Sequence, residues 1–294
     1  MKETSDAGLI SIADRRRRGV RATLSSVQGL LLVALLVEGA GPLFWMAKGA
    51  VTGTQDLLHH PMALWPSHAH WGNIADAWNT LQVGHYLLNS VVLVAGVWAV
   101  QIVVATTAGY ALSVLKPWYG KYVYGAILVT LFVPGTVTLI AQYVTILHLP
   151  LIGWNLIDTP FAVWLPAGAS TFNILLVKRF FDEIPRELCE AAQVDGAGAF
   201  TVFWRIVLPM SKPILAVVSL LSVMAAWTEF LWPLLVITSP DKQPLAVALP
   251  RLAQTSDQAL LIAGLFIASL PPIGLFLVFQ RYIIRGVSFT GLKG

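Results

Sequence analysis

Charged residues are missing from several long stretches of this chain. No Asp, Glu, Lys or Arg occurs between Asp76 and Lys116 or between Lys121 and Asp158. A helix needs about 20 apolar residues to cross a membrane, because the hydrocarbon layer is about 30 Å thick and each residue rises about 1.5 Å. The stretches therefore have the length of membrane-spanning helices, and they do not show the strict alternation of β-barrel strands.

The apolar stretches predict an all-α membrane protein with six transmembrane helices, since a helix gives every backbone polar group a partner inside lipid. Pro134 lies in the third helix and should kink it. The predicted spans are residues 25–47, 86–112, 122–146, 159–181, 214–237 and 260–283. We expect residues 1–24 to be an N-terminal tail and residues 25–294 to form one transmembrane domain.

Composition and charge agree with a membrane location. Charged residues make up 12% of the chain and the mean hydropathy is +0.72, whereas an average soluble domain is about 25% charged. Sixteen of the 19 Lys and Arg fall on one side of the predicted membrane. This bias predicts a multi-pass membrane protein, surrounded by lipid, with both termini in the cytoplasm. The basic run at residues 15–18 belongs to that topology signal, so the net charge of +4 does not indicate a nucleic-acid partner.

The segment between the fourth and fifth predicted spans, about residues 182–212, has a different character. A short helix should begin at Pro185, whose missing N–H costs nothing in a first turn, with Glu187 and Glu190 near its positive end. Gly196 should end this helix at a positive φ.

A second short helix should follow, present Phe200, Phe203 and Trp204 at its surface, and stop at Pro209. The two helices together predict a compact amphipathic knob on the cytoplasmic face, suited to seat in a groove of a partner.

The knob carries a spaced set of residues that resembles a known signature. Glu190-Ala191-Ala192, three residues, Gly196, nine residues, and then Ile206-x-Leu208-Pro209 resemble the EAA signature of binding-protein-dependent ABC importer permeases. Residues 227–234 resemble the fifth span of the maltose-type, carbohydrate-uptake branch, although Thr228 stands where many relatives have Asn. Residues 279–294 resemble the C-terminus of that branch, and residues 89–90 and 109–112 fit the two ends of its second span, so the resemblance covers about residues 86–294.

The resemblance implies a bacterial-type inner-membrane location and a set of partners for this chain. Such permeases pair with a second permease subunit, dock on two ATP-binding subunits that hold ATP and Mg, and receive a carbohydrate from an extracytoplasmic solute-binding protein. It assigns ATPase coupling to seven residues: Glu190, Ala191, Ala192, Gly196, Ile206, Leu208 and Pro209. It also suggests a second ATPase contact at the C-terminal tail, formed by Gly291, Leu292, Lys293 and Gly294.

Several polar or aromatic residues within the spans are candidates for the solute path: Glu38, Asn173, Trp227, Thr228 and Glu229. Aromatic rings stack on sugar C–H faces and carboxylates accept hydrogen bonds from hydroxyls, but helix–helix hydrogen bonding and interfacial anchoring explain such residues equally well. The same ambiguity applies to Gln101, Thr136 and Gln142.

No catalytic constellation or metal site is predicted for this chain. The sequence has no Gly-x4-Gly-Lys-Ser/Thr phosphate-binding loop, so ATP hydrolysis should belong to a separate subunit. Cys189 is the single cysteine, and His59, His60, His68 and His70 have no matching ligand cluster beside them. Three alternatives stay open. One is an importer of the same type that carries glycerol phosphate, a polyol or an amino sugar, and the second is an ion-driven secondary transporter. The third is a membrane anchor or sensor that docks a cytoplasmic protein and needs no polar path through its spans.

Overall fold

The computed structural model describes the backbone of residues 18–290 and the side chains of residues 19–280. Within this range the regular structure is helical, apart from an isolated bridge between Thr52 and Ala69. The helices are α1 (Arg18–Ala50), α2 (Thr54–His59), α3 (Gly72–Asn79), α4 (Val83–Tyr110), α5 (Gly120–Thr130), α6 (Gly135–Leu147), α7 (Phe161–Ala167), α8 (Thr171–Asp182), α9 (Arg186–Val194), α10 (Ala199–Met210), α11 (Lys212–Thr228), α12 (Leu231–Val236), α13 (Leu245–Leu252) and α14 (Gln258–Thr290).

The lengths and apolar character of these helices fit a membrane protein of up to six spans. Helices α1, α4 and α14 are each long and apolar enough to cross a bilayer. Three bent pairs add to them within the described residues: α5 with α6 at 112°, α7 with α8 at 46°, and α10 with α11 at 79°. The all-α membrane fold predicted from the sequence is confirmed.

Three of the predicted spans are broken where an unbroken or merely kinked helix was expected. At Pro134 the chain is extended, and α5 and α6 meet at 112°. The fifth span stops at Thr228, and Glu229 is extended before α12 begins. Pro233 explains this break, because in a continuous helix its ring would clash with the carbonyl of Glu229, four residues earlier.

Pro166 disturbs the fourth span in the same way, and neighbouring helices supply the missing hydrogen bonds. The proline cannot donate to the carbonyl of Ala162, and that carbonyl instead accepts the indole N–H of Trp232 at 2.9 Å. The carbonyl of Ala167, at the end of α7, accepts the side-chain amide of Gln101 at 2.9 Å. Both of these backbone carbonyls therefore have hydrogen-bond donors inside the protein, as a bilayer requires.

Helix α4 is the central element and packs against α7, α8 and α11. Close approach to α7 depends on Gly96, because a Cβ at this position would lie 2.0 Å from the ring of Trp164. A π-helical turn, Ala111–Leu115, extends α4 towards the knob. The helix therefore reaches from one end of the molecule to the other.

A polar clamp closes the end of the molecule opposite the knob. The carboxylate of Asp158 accepts the backbone N–H of Ser239 at 2.8 Å, its hydroxyl at 2.6 Å and the ammonium of Lys242 at 2.7 Å. These hydrogen bonds, that from Lys242 foremost, hold the pKa of Asp158 well below its usual range. The clamp ties the loop before α7 to the loop after α12.

Candidate functional site

The turn between the two helices of the knob has the geometry expected from the sequence. Gly196 has φ +85°, and its N–H donates to the carbonyl of Gln193 at 3.0 Å. The N–H of Ala197 donates to the carbonyl of Ala192 at 2.9 Å. This pair of hydrogen bonds is a Schellman motif. Its left-handed position favours glycine, because left-handed backbone is strained for residues with a Cβ.

One face of the knob is anchored in the transmembrane core. Cys189, Val202, Phe203 and Val207 are buried against the ends of α4 and α8. Phe203 was expected at the surface, but its ring centroid lies 5.0 Å from that of Tyr110. A π-helical turn, Phe203–Val207, begins at this residue.

Burial also decides the chemistry of the single cysteine. It raises the pKa of the Cys189 thiol, and the nearby carboxylate of Glu190 raises this pKa further. The thiol therefore stays protonated near neutral pH and is a poor nucleophile.

The other face of the knob exposes apolar side chains. Val194 is 88% exposed, Phe200 74% and Trp204 55%. Soluble surfaces rarely cluster large apolar groups in this way unless a partner covers them. The face lies next to the Gly196 turn and makes the knob a candidate docking surface.

The signature residues are divided between the two faces. Glu190, Ala191, Gly196 and Pro209 are exposed, whereas Ala192, Ile206 and Leu208 are half-buried. The second helix was predicted to stop at Pro209, but α10 continues for one more residue, to Met210. Its end comes at Ser211, where the hydroxyl donates to the carbonyl of Val207 at 2.6 Å and the chain bends into α11.

A cavity of about 490 Å³ lies among the broken spans. Its wall is built from α4, α6, α7, the end of α11 and α12. The polar and aromatic residues that line it are Ser90, Gln101, Thr136, Gln142, Trp227, Glu229 and Trp232. A pocket of this size with few polar groups among apolar ones is typical of a small-molecule site.

The carboxylate of Glu229 is positioned by the helix break next to it. Its Oε1 accepts the backbone N–H of Trp232 at 3.1 Å, one of the N–H groups that the first turn of α12 leaves without a partner inside the helix. A carboxylate has further lone pairs, so a hydroxyl-bearing solute in the cavity can donate to it.

The residues proposed for the solute path do not all reach this cavity. Trp227 and Glu229 line it. Asn173 is buried between helices and donates to Gln101 at 2.9 Å and to Ser222 at 3.1 Å. The hydroxyl of Thr228 donates to the carbonyl of Met224 in its own helix, and Glu38 lies on the exposed face of α1.

The cavity is also lined by residues that the sequence does not single out for the solute path. The sequence leaves Gln101, Thr136 and Gln142 ambiguous between links between helices and the solute path, and it gives no reason to place Ser90 in that path. The neighbouring prolines were the available signal, because a broken helix in a membrane tends to line a cavity. The tail of Gly291, Leu292, Lys293 and Gly294 lies outside the described residues. Within the described part, no group of three or more His, Cys, Asp or Glu is arranged to hold a metal ion.

Comparison with known proteins gives these features a family. Residues 101–289 match the model of the family described as "Binding-protein-dependent transport system inner membrane component". A probable ABC transporter permease of Bacillus subtilis is 33% identical, covering 97% of this chain and 94% of that protein.

Two further relatives have more specific names. A permease of an sn-glycerol-3-phosphate transport system from Yersinia pestis is 28% identical over 94% of this chain and 98% of its own length. A permease of a diacetylchitobiose uptake system from Streptomyces coelicolor is 27% identical, over 90% and 87% respectively.

The fold also has a solved counterpart. A chain of a bacterial ABC transporter involved in the import of the acidic polysaccharide alginate superposes with a TM-score of 0.78 and 20% identity, covering 90% of this chain and 98% of that one. The family expected from the EAA-like spacing is thus confirmed. The chain belongs to the family of inner-membrane components of binding-protein-dependent transport systems.

Proposed function

We propose that this chain is one of two permease subunits of a heteromeric, ATP-driven importer and that the solute is a neutral carbohydrate. The observation that carries the choice of a neutral carbohydrate is the chemistry of the cavity. Indoles, side-chain amides, hydroxyls and the carboxylate of Glu229 line it. Of the lining residues in the described part of the chain, none is Lys, Arg or His.

This lining discriminates between the solutes for which relatives are named. A phosphate group needs cationic or N–H donors, which Arg and Lys usually supply. Glu229 would repel it instead. A neutral sugar offers hydroxyls to the carboxylate and amides and an apolar face to the indoles. The charge of the lining therefore favours a neutral carbohydrate over glycerol phosphate.

The knob is proposed to couple the chain to an ATP-binding subunit. Its exposed apolar face, Val194, Phe200 and Trp204, needs a cover, and Glu190 beside it can pair with a basic residue of that cover. Two such subunits, holding ATP and Mg, would serve the two permeases. The C-terminal tail, residues 291–294, would add a second contact, and both termini would then be cytoplasmic.

A second permease is proposed to complete the wall of the cavity. The break between α5 and α6 leaves Phe132 85% exposed, Val137 70% and Ile140 80%, next to the cavity-lining Thr136. Residues 25–294 act as one transmembrane domain in this assembly, and an extracytoplasmic solute-binding protein delivers the solute at the clamp end.

The test is solute uptake by cells that carry this chain and its neighbouring transport genes in place of their own. Labelled maltose, diacetylchitobiose and sn-glycerol-3-phosphate serve as probes, with Glu229→Gln as the variant. Glu38→Gln is the matched control, because it neutralises a carboxylate on the exposed face of α1. We expect ATP-dependent uptake of a neutral sugar that Glu229→Gln reduces and Glu38→Gln does not.

Two results would overturn the proposal at different levels. Uptake of sn-glycerol-3-phosphate alone would keep the importer and reject the neutral carbohydrate. Uptake that survives ATP depletion and stops with a protonophore would reject the ATP-driven importer in favour of an ion-driven transporter.

A further inference from the structure

Helix α4 touches both the cavity and the knob, although the chain does not connect it to the knob directly. Its middle turns line the cavity with Ser90, Leu93, Val97 and Gln101. Covalent connection joins the knob to α8 and α11 instead. A movement of the knob must therefore reach α4 through side-chain contacts.

The main polar contact between them is made by Tyr110, the last residue of α4. Its hydroxyl donates to the carbonyl of Ala199 at 2.8 Å, at the first residue of α10 and three positions after the Gly196 turn. The ring packs on Phe203 at 5.0 Å, and the residue is 6% exposed. Apolar packing resists separation but allows sliding, whereas a hydrogen bond of this length fixes the register of the two helices.

We propose that Tyr110 is a positioning residue for transport, whose hydrogen bond to Ala199 makes α4 follow the knob when the ATP-binding subunits close. The inference rests on the coupling role proposed above and names the link that carries the movement to the cavity wall. It assigns no contact with the solute or with ATP to Tyr110.

The structure offers a clean perturbation in Tyr110→Phe, which keeps the ring and removes the hydroxyl. The carbonyl of Ala199 still accepts the backbone N–H of Phe203, so α10 and the docking face should persist. Losing one hydrogen bond changes a conformational equilibrium by about fivefold. We therefore expect impaired transmission in a complex that still assembles.

Two matched controls lie on the same helix. Tyr86→Phe removes a phenol hydroxyl at the far end of α4, where it accepts a hydrogen bond from Arg251 at 3.0 Å. Ser113→Ala removes the hydrogen bond from the turn after α4 to Asp182, at 2.7 Å, which ties α4 to α8 and not to α10. Both variants test general loosening of α4 without cutting the link to the knob.

The readout needs no knowledge of the solute. Leu139→Cys places a thiol in the cavity wall, and a membrane-impermeant maleimide reports its accessibility in the reconstituted complex, with and without ATP and vanadate. The buried Cys189 labels slowly, and the chain without the new cysteine gives the background. ATP hydrolysis and co-purification of the ATP-binding subunits are measured on the same samples.

In the otherwise unchanged chain, ATP and vanadate should change the labelling rate. With Tyr110→Phe this change should shrink by about fivefold, while the ATP-binding subunits still co-purify and hydrolyse ATP. Both controls should respond as the parent does. An unreduced response of Tyr110→Phe, loss of ATP-binding subunits from that variant, or an equal loss in the controls would overturn the inference. If the parent chain itself brings down no ATP-binding subunit, the proposed function fails instead.

Discussion

Substitution of Gly196 separates a property that the residue has in the structure, a left-handed turn, from its proposed role beside the docking face. An added Cβ would meet no atom of this chain within 4 Å, so the internal cost of Gly196→Ala is backbone strain at φ +85°. Left-handed backbone costs an L-residue about 1–2 kcal/mol. Gly196→Asn should cost less, because Asn tolerates this conformation.

Gly198 provides the matched control two residues away. Like Gly196, it is exposed, and a Cβ added to it would meet no atom of this chain within 4 Å. Its φ of −69°, however, is a value that any residue adopts. Because Gly198 is the N-cap of α10, where Ser is at least as favourable as Gly, Gly198→Ser should change stability by less than about 0.5 kcal/mol. Thermal unfolding of the purified chain in detergent measures all three variants.

Docking is measured separately, by the amount of ATP-binding subunit that co-purifies with the tagged chain. We expect Gly196→Asp to insert normally, lose the ATP-binding subunit and abolish uptake, because it puts a bulky charge at the docking turn. Gly196→Asn should lose docking with little loss of stability. If Gly196→Asp keeps its ATP-binding subunit and transports normally, the coupling role of the turn is refuted. If Gly196→Ala is as stable as the parent, the strain argument is refuted.

Three further predictions follow from other contacts. Trp232→Phe removes the indole that satisfies the carbonyl of Ala162, so it should destabilise the chain by about 1–3 kcal/mol in thermal unfolding; an unchanged midpoint would contradict this. Phe200→Ser removes an apolar group that is 74% exposed, and it should weaken co-purification of the ATP-binding subunit without lowering the unfolding midpoint. Asp158→Asn should lower the unfolding midpoint near neutral pH. The folded pKa of Asp158 is depressed, so the stabilisation by its carboxylate is present above the usual pKa of about 4 and is lost progressively as pH falls below that value. The unfolding midpoints of parent and variant should therefore converge in acid. A difference in midpoint that stays constant down to the acid limit would count against the clamp.

Much of the fold could be predicted from the sequence because lipid imposes a simple rule. Stretches free of charge had to be helices, and the six apolar stretches correspond to α1, α4, α14 and the broken spans. The Gly196 turn was also predictable, since an Asp-Gly pair after a short helical segment indicates a C-terminal cap. These features depend on local sequence alone.

Other features were not predictable, because they depend on partners from distant parts of the chain. Phe200, Phe203 and Trp204 share one face of a regular α-helix, and nothing in the local sequence reveals that Phe203 is buried against Tyr110, about 90 residues earlier in the chain. Asn173 was a candidate for the solute path on polarity alone. Its partners Gln101 and Ser222 lie on other helices, 72 and 49 residues away along the chain.

The helix breaks and the cavity have the same physical origin. An unbroken helix facing the cavity would present side chains alone, because its backbone groups are consumed by the helix itself. Pro166 and Pro233 interrupt that pattern and free backbone groups at membrane depth. Trp232 and Gln101, which satisfy the freed carbonyls of α7, both line the cavity. Glu229, which accepts a backbone N–H in the first turn of α12, lines it too. The hydrogen bonds that make the breaks tolerable in lipid thus also assemble the polar wall, so a solute that rearranges this wall would shift α7 and α12 together.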